Sequence, residues 1–239
     1  MMGRTHALSG LVTGVAIGQF WWHLDPAHLA VGAAVTAGAA VLPDIDHPDA
    51  SCADSFGFVT KGFAWLIGRV SGGHRHGTHS LVGVAAFTWA AWAARHHLYT
   101  PAGKIGLGLL LVLVFASGLR ALKIGGHVGD LLAIGAAIAM LRSGFGVAGV
   151  PWAIAAGTAT HLVGDMLTDE GIPIAWPLSR VHFRLLPEPL AFTTGTRPET
   201  RIVDPALYGV FALLVLWAVS PALGHHLYQH VAAWARAFH

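Results

Sequence analysis

Residues 105–119 read IGLGLLLVLVFASGL, an apolar run without one charged side chain. A run of this kind is typical of a helix that lies in lipid or in a deeply buried core. Six further, predominantly apolar runs are each bounded by polar residues, proline or glycine: 6–22, 28–42, 80–98, 128–141, 149–164 and 206–223. The repetition of such runs along one chain indicates membrane segments.

The composition agrees with this interpretation. Of the 239 residues, 54% are hydrophobic and 11% are charged, and the mean hydropathy is +0.60. A water-soluble domain usually has about a quarter of its residues charged. The 14 basic and 12 acidic side chains are too few to cover a soluble domain of this size. The shortage of polar surface therefore implies contact with membrane lipid.

We predict an all-α fold, a polytopic helical membrane protein with about five to seven membrane segments in a single domain over residues 1–239. Several runs are shorter than the ~20 residues needed to cross a bilayer, and their glycines and alanines favour close helix packing. The first two runs and 128–141 are also compatible with re-entrant or interfacial helices. The N-terminal run lacks a signal-peptide cleavage motif and is expected to be retained. Six prolines in residues 171–205 predict an irregular loop outside the membrane.

The distribution of positive charge predicts the orientation. If all seven runs cross the membrane, the N-terminus and the loops 43–79, 120–127 and 165–205 share one face. That face carries ten of the fourteen Lys and Arg residues: Arg4, Lys61, Arg69, Arg75, Arg120, Lys123, Arg180, Arg184, Arg197 and Arg201. The positive-inside rule then places this face in the cytoplasm.

Several classes of site are excluded or disfavoured. The net charge of +2 reflects a small excess of basic residues, and the sequence has no basic patch of the kind that nucleic acid requires. Direct nucleic-acid binding is therefore not expected. Cys52 is the only cysteine, which excludes an internal disulfide and a multi-cysteine zinc cluster. Sixteen histidines are unusual, and histidine is the commonest metal ligand. A metal bound here would use nitrogen and oxygen ligands.

The first motif with metal-binding chemistry is LPDIDHP, residues 42–48. It ends an apolar run and presents Asp44, Asp46 and His47 within four positions. An ordinary capping turn is the alternative, because aspartate is common in proline-bounded turns.

The second motif is GHRHGTHS, residues 73–80, directly before the next apolar run. His74, His76 and His79 crowd a glycine-flanked loop beside Arg75. Neutral imidazoles bind divalent metals and arginine binds phosphate oxygens, so this loop suits a metal or an anion. The alternative is a solvated, histidine-rich loop at the membrane interface.

The third motif is HLVGDMLTDEG, residues 161–171. His161 and Asp165 are four positions apart, which places them on the same face of a helix, and Asp169 would extend that stripe. An ionisable pair at the end of an apolar helix indicates a functional site, and a structural ion pair is the alternative.

The predicted topology gathers these motifs. It places eight donors at one membrane face: His6, Asp44, Asp46, His47, His74, His79, His161 and Asp165. One catalytic zinc ion uses three or four protein ligands, so the surplus suggests two ions, or one ion with acid and base residues. His127 and Asp130 could join them, and His182 is undecided. Seven further histidines are expected to be interfacial at the opposite face: His23, His28, His96, His97, His225, His226 and His230.

At these residues the chain resembles a family of inner-membrane, metal-dependent hydrolases whose members are also described as LexA-binding. The resemblance covers most of the chain in order: His6, LPDIDHP, HRHGTHSL, then Gly157, His161, Asp165, Thr168, Gly171, Pro177, Gly195 and Glu199. Members usually have other residues at positions 76 and 77, so His76 is not assigned as a ligand. The resemblance implies a hydrolase embedded in the cell's inner (plasma) membrane with a divalent metal, zinc being the expected one. A weaker similarity to zinc phospholipases and nucleases points to a phosphoester.

We therefore expect hydrolysis of a phosphoester or another ester of a lipid-like substrate at the cytoplasmic face. The expected ligands are His6, Asp44, His79, His161 and Asp165. Asp46 and His47 are each a further ligand or a residue that orients one, and we place His47 with the metal and Asp46 with the catalytic residues. His74 is the expected acid or base, and Arg75 would stabilise negative charge on the substrate.

Two other functions remain open. A metal-binding scaffold or regulatory protein would dock a cytoplasmic protein partner at the same face, as the LexA-binding description suggests. A divalent-ion transporter would need ionisable residues at mid-membrane depth, whereas these motifs lie at the ends of the apolar runs.

Overall fold

The protein is described by a computed structural model covering residues 1–50, 52–53 and 56–220, and all regular structure in these ranges is helical. The all-α prediction is confirmed. The longer helices are α1 (Gly3–Phe20), α2 (Pro26–Ala39), α3 (Phe58–Val70), α4 (Leu81–His96), α5 (Pro101–Ala121), α6 (Gly126–Ser143), α7 (Val150–Met166) and α8 (Asp204–Val219). Short 3-10 turns at Leu42–Asp46 and Gly77–His79 carry two of the motifs.

Local sequence signals explain where several helices begin. The side chain of Asp25 accepts hydrogen bonds from the first amides of α2, and Pro26 follows it. Thr100 and Pro101 start α5 in the same way. The hydroxyl of Ser80 accepts from the amide of Gly83 at the start of α4. A polar side chain satisfies amides that lack a partner within the helix, and proline needs no such partner.

Four helical stretches of the described chain are long and apolar enough to cross a membrane: Pro26–Asp46, Pro101–Ala121, Val147–Met166 and Glu199–Val219. They confirm a helical membrane protein. Helices α1, α4 and α6 do not meet the same criteria of length and hydropathy, so a total of five to seven crossings stays a prediction. Residues 221–223 of the last predicted run lie outside the described residues.

Helix α2 lies at the centre of the bundle and packs against α1, α5 and α7. The contacts are close because glycines face neighbouring backbones: a Cβ atom at Gly38 would lie 2.0 Å from the carbonyl oxygen of Val114 on α5. Small residues allow this approach between membrane helices. Helix α8 packs on α1 at the edge of the bundle. Only 6% of the apolar stretch within Glu199–Val219 is buried in the protein.

The loops that were predicted to share a face do lie at one end of the bundle. Ala7 in α1, Val41 after α2 and Ala121 at the end of α5 form one buried cluster there. The hydroxyl of Thr5 donates to Asp204 at the start of α8, at 2.8 Å. We call this end of the bundle the site end.

Helix α3 was not predicted, because it lies inside the expected loop 43–79. It has 13 residues, and its buried positions Thr60, Ala64 and Gly68 are small. The expected hydrophobic stripe is therefore absent from its packed face. Gly68 lets α3 approach the turn after α2, since a Cβ atom there would lie 2.5 Å from the carbonyl oxygen of Asp46.

The second long loop is irregular, as predicted. Between the end of α7 and Pro198 it contains two isolated bridges, Thr168 with Phe192 and Ile172 with Phe183. A π-helical turn at Glu199–Val203 then leads into α8.

Candidate metal centre

Five predicted ligands meet at the site end of the bundle. His6 lies in the first turns of α1, Asp44 in the turn after α2 and His79 in the turn before α4. His161 and Asp165 lie one turn apart at the end of α7. The three imidazoles are fully buried and Asp165 is 1% exposed. Charged and polar groups at this depth need partners or a bound ion.

The donor atoms of these residues surround one small volume. Asp44 Oδ1 lies 3.4 Å from His79 Nε2 and 3.7 Å from His161 Nε2. Asp165 Oδ2 lies 3.6 Å and 3.5 Å from the same two nitrogens, and its Oδ1 lies 3.2 Å from His6 Nε2. Ligands that sit about 2.0–2.2 Å from one zinc ion are at most about 4.4 Å apart. The donors are thus spaced as ligands of a metal ion would be.

With His74 added, the donors of the centre divide into two neighbouring groups. His6, His161 and Asp165 form one group, and Asp44, His74 and His79 form the other. The rings of His6 and His161 stack at 3.7 Å, and that of His79 stands 4.9 Å from His161. Each of the two groups could hold a metal ion.

The orientation of His161 is fixed by the backbone. Its Nδ1 lies 2.7 Å from the carbonyl oxygen of Ala40, which can only accept a hydrogen bond. Nδ1 therefore carries a proton, and Nε2 faces the carboxylates. Ala40 follows the last residue of α2, where helix carbonyls lack partners within the helix. The end of α2 thus supplies the group that orients the imidazole.

His79 is oriented by two side chains. The hydroxyl of Thr78 donates to Asp46 Oδ2 at 2.6 Å, so its oxygen is available to accept from His79 Nδ1 at 3.0 Å. Asp46 Oδ2 itself lies 3.5 Å from the same Nδ1. These contacts give Nδ1 a proton and direct Nε2 toward Asp44 and Asp165. Metal-binding histidines are commonly held by such a carboxylate or carbonyl.

The buried nitrogens provide a test of whether a cation fits. Within the described part of the chain, Nε2 of His6, His79 and His161 has no hydrogen-bond partner. An unpaired buried polar atom costs about 1–3 kcal/mol. A divalent ion would use all three lone pairs and would neutralise Asp44 and Asp165. The residues present therefore fit a metal.

The electrostatics also favour positive charge. Burial alone would lower the pKa of His79, but the neighbouring carboxylates of Asp44 and Asp46 outweigh burial and raise that pKa to about 9. The ammonium group of Met1 forms an ion pair with Asp165. Asp165 lies in the last turn of α7, where the helix dipole disfavours an anion. The carboxylates of the centre therefore need positive charge beside them, which protonated groups or a metal ion can provide.

His74 and Asp46 form a second layer beside the ligands. Asp46 is 4% exposed and accepts from His74 Nδ1 at 2.8 Å and from the amide of Arg75 at 3.2 Å. This geometry matches the orienting alternative for Asp46. The side chain of His74 is 38% exposed, and its ring lies 5.2 Å from that of His79. His74 thus connects the buried ligands with the surface.

Arg75 lies at the rim of the centre. Its backbone is in the left-handed region, with φ of 59°. The guanidinium Nε lies 3.9 Å from Asp165 Oδ2, and Nη1 forms an ion pair with Glu170, whose side chain is 63% exposed. The side chain is therefore placed where an anionic ligand would approach the centre.

His47 lies at the outer edge. Its ring is 4.9 Å from that of His74, and its Nδ1 accepts from the amide of Asp49 at 3.2 Å. It belongs to neither group of donors found among the described residues. Its assignment as a metal ligand stays a prediction.

Other candidates have partners outside the centre. Asp169 accepts from the hydroxyl of Thr193 at 2.6 Å, and His182 Nδ1 contacts the carbonyl oxygen of Glu170. Asp130 forms a two-pronged ion pair with Arg120. His225, His226 and His230 lie outside the described residues.

The sequence analysis assigned no structural role at the centre to Thr78, to the carbonyl of Ala40 or to Glu199. Thr78 bridges Asp46 and His79, whereas Ser80, two residues later, caps α4. The position of Thr78 between two histidines was the available signal. The role of the Ala40 carbonyl could not be predicted from the sequence, because every residue has a backbone carbonyl. Glu199 is fully buried and accepts from the amides of Met2 and Gly195, both at 2.7 Å, which anchors the start of α1.

Glycines allow the three helices to converge beneath the ligands. A Cβ atom at Gly10 or Gly157 would lie 2.7 Å or 2.4 Å from the carbonyl oxygen of Thr36. A Cβ atom at Gly164 would lie 3.1 Å from the ring of His6. The close approach of α1, α2 and α7 therefore depends on the lack of side chains at these positions.

A cavity of about 610 Å³ lies at the opposite end of the bundle, beside Trp22, Phe145 and Trp152. None of the proposed ligands lines it. The candidate site is thus identified by its converging donors and not by the volume of a cavity.

Comparison with known proteins supports the membrane assignment. The profile of a family described as YdjM inner membrane protein matches residues 1–232. Two relatives, both named inner membrane protein YdjM, come from Escherichia coli K12 and Shigella flexneri, and each is 26% identical over 165 residues. The matched region covers 69% of this chain but 54% of each relative. No solved structure matches.

The matched description confirms the inner-membrane part of the resemblance. Metal dependence, hydrolysis and LexA binding are absent from the matched names and stay predictions. Since the profile spans nearly the whole chain, the protein belongs to the family of YdjM inner membrane proteins.

Proposed function

We propose that the protein is a metal-dependent hydrolase of the inner membrane, acting on a phosphoester or another ester of a lipid-like substrate. The observation that carries the proposal is the convergence of His6, Asp44, His79, His161 and Asp165, with three buried Nε2 atoms that lack hydrogen-bond partners among the described residues. When bound, a divalent ion such as zinc supplies polarisation of the scissile group and activation of water.

His74 is suited to move protons. Asp46 accepts from its Nδ1, which leaves Nε2 as the basic atom, and the ring is accessible from the surface. A histidine held by a carboxylate in this way keeps one tautomer and one orientation. Asp46 is thus a positioning residue, and His74 would hold or donate the proton at Nε2.

Arg75 is suited to bind the anionic part of a substrate. Its guanidinium faces Asp165 and is paired at the surface with Glu170. Arginine binds phosphate and carboxylate oxygens through several donors at once. A phosphoester that replaced Glu170 at this guanidinium would lie beside the metal ligands, and Arg75 would stabilise developing negative charge.

The cytoplasmic face is the proposed location of the centre, because the positively charged loops lie at the site end. A lipid-like substrate follows from the setting, since the ligands lie at the ends of helices that cross the membrane. The proposal includes one or two ions, and a second ion would use His74 as a ligand together with Asp44 and His79.

The first test is metal analysis of purified protein. His161→Ala and Asp165→Ala remove one ligand each from the centre, so both variants should bind less metal than the wild type. His96→Ala is the control, because His96 is exposed at the far end of α4. Metal content that stays unchanged in the first two variants would remove this pair from the ligand set.

The second test separates proton transfer from metal binding. His74→Ala should keep its metal and lose hydrolysis by about 10²- to 10⁴-fold, the usual effect of removing an acid or base. Parallel loss of metal would instead make His74 a ligand of a second ion. A fully metallated wild-type protein that hydrolyses no ester or phosphoester in a broad panel, yet binds a cytoplasmic protein tightly, would favour the scaffold function.

A further inference from the structure

A groove of about 430 Å³ runs between α3 and α4 at the site end of the bundle. Its lining is almost entirely apolar and includes Leu66, Val70, Val82, Ala86, Phe87 and Trp176. We call it the α3–α4 groove. A volume of this size suits a small ligand or a segment of a chain molecule.

One side of the groove continues into a surface that meets lipid. Val82 belongs both to the groove and to an exposed apolar face of α4 that includes Leu81 and Trp89, which are 61% and 66% exposed. In an inner membrane protein, such a face contacts acyl chains. A chain in the groove could therefore come from the bilayer without crossing water.

Helix α3 has the composition of an interfacial helix. Phe58, Phe63 and Trp65 are half or more exposed, and the only charged residues of the helix are Lys61 and Arg69. The guanidinium of Arg69 lies 5.4 Å from the centre of the Trp65 ring. Aromatic and basic side chains on one short helix suit the headgroup region of an anionic leaflet. The groove is thus flanked by a helix that can lie in the membrane surface.

The inner wall of the groove is part of the metal centre. Thr78 lines the groove, and its hydroxyl joins Asp46 to His79. Gly77 lines the same wall and is the residue after His76 in the histidine-rich loop. An apolar chain that fills the groove would end within one residue of a proposed metal ligand.

We infer that the α3–α4 groove holds an acyl chain of a membrane phospholipid and thereby places the lipid's ester and headgroup at the metal centre. The inference rests on the proposed function for its chemical purpose, but the binding of the chain does not require turnover. It names the substrate class as a diacyl phospholipid taken from the leaflet at the site end. Arg75, at the rim, would face the phosphate of such a lipid.

The test is photolabelling of the full chain in vesicles of phosphatidylethanolamine and phosphatidylglycerol. The vesicles contain a phosphatidylglycerol with a diazirine at the end of one acyl chain. After irradiation, labelled peptides are measured by mass spectrometry. We expect the segments around Leu66 and Ala86 to be labelled several times more strongly than the exposed surface of α8, which serves as the reference for bulk lipid.

Ala86→Trp should fill the groove and remove this excess, and Val82→Trp is a second variant with the same purpose. Ala85→Trp is the matched control, because Ala85 is exposed on the same helix without lining the groove. Unchanged metal content verifies that each variant is folded. Groove labelling no stronger than that of α8, or labelling that survives in both filled variants, would overturn the inference.

The two proposals fail in different ways. Strong groove labelling in a protein that hydrolyses nothing would support acyl-chain binding in the groove and contradict the hydrolase proposal. Hydrolysis of a phospholipid without excess groove labelling would support the hydrolase proposal and contradict acyl-chain binding in the groove.

Discussion

Thr78 shows how one side chain outside the ligand set determines the geometry of a ligand. Its hydroxyl has one proton, which goes to Asp46, so its oxygen accepts from His79. The chain of contacts fixes the tautomer of His79 and directs Nε2 into the centre. A residue in this position acts on metal affinity without touching the metal.

Thr78→Val removes the hydroxyl and nearly preserves the shape of the side chain. We expect the affinity for a divalent metal to fall by about 10- to 100-fold, the usual effect of losing a group that orients a ligand. Metal titration of the purified variant measures it. Thr88→Val is the control, because the Thr88 hydroxyl bonds only to the backbone of its own helix in the described structure. Equal affinities in both variants would contradict the proposed role of Thr78.

At the scale of helices, the centre depends on how closely α7 approaches α2. A Cβ atom at Gly157 would lie 2.4 Å from the carbonyl oxygen of Thr36 and 2.6 Å from the Cβ of Ala39. The same contact brings His161 to the carbonyl of Ala40. Two packed backbones cannot yield to an added methyl group without moving apart.

Gly157→Ala should therefore destabilise the protein by about 1–3 kcal/mol, the usual cost of overpacking. It should also weaken metal binding, because His161 would move away from Ala40. Thermal unfolding in detergent, followed by metal analysis, measures both effects.

Gly135→Ala in α6 is the matched control, since nothing lies within 4 Å of an added Cβ atom there. Alanine is favoured over glycine inside a helix by about 0.5–1 kcal/mol, so this variant should be as stable as the wild type or slightly more so. Comparable destabilisation in the two variants would show that the approach of α2 and α7 is not the cause.

At the scale of the whole molecule, the helix ends that carry the ligands share one end of the bundle. Alternate helix directions bring the starts of α1, α4 and α8 together with the ends of α2, α5 and α7. The basic residues of the connecting loops lie at this same end. Because cytoplasmic loops are enriched in Lys and Arg, the site end is expected in the cytoplasm.

Cysteine labelling in intact cells measures this orientation, in a Cys52→Ala background. Leu178 is 95% exposed in the loop after α7, and Tyr99 is 77% exposed between α4 and α5 at the other end. An impermeant maleimide should label Tyr99→Cys from outside, and Leu178→Cys only after the cells are permeabilised. The opposite pattern would place the metal centre outside the cytoplasm.

Much of the fold could be predicted from the sequence because its signals are local. The apolar runs predicted the positions of seven helices, and the prolines predicted the irregular loop after α7. Helix α3 was not predicted, because it is short and packs through Thr60, Ala64 and Gly68, which form no hydrophobic stripe. Its apolar residues lie instead on the exposed face, where lipid and not a protein core determines their placement.

The sequence by itself determined which residues have metal-binding chemistry and, through topology, that they share one end of the bundle. Only the tertiary structure decided how they divide: His6, Asp44, His79, His161 and Asp165 around a centre, Asp46 behind them, and His47 at the edge. The contacts that make this division join residues far apart in the chain, such as His161 with Ala40 and Asp46 with Thr78. Spacing along a sequence fixes the face of one helix, whereas the distance between donors on four elements depends on how closely backbones pack.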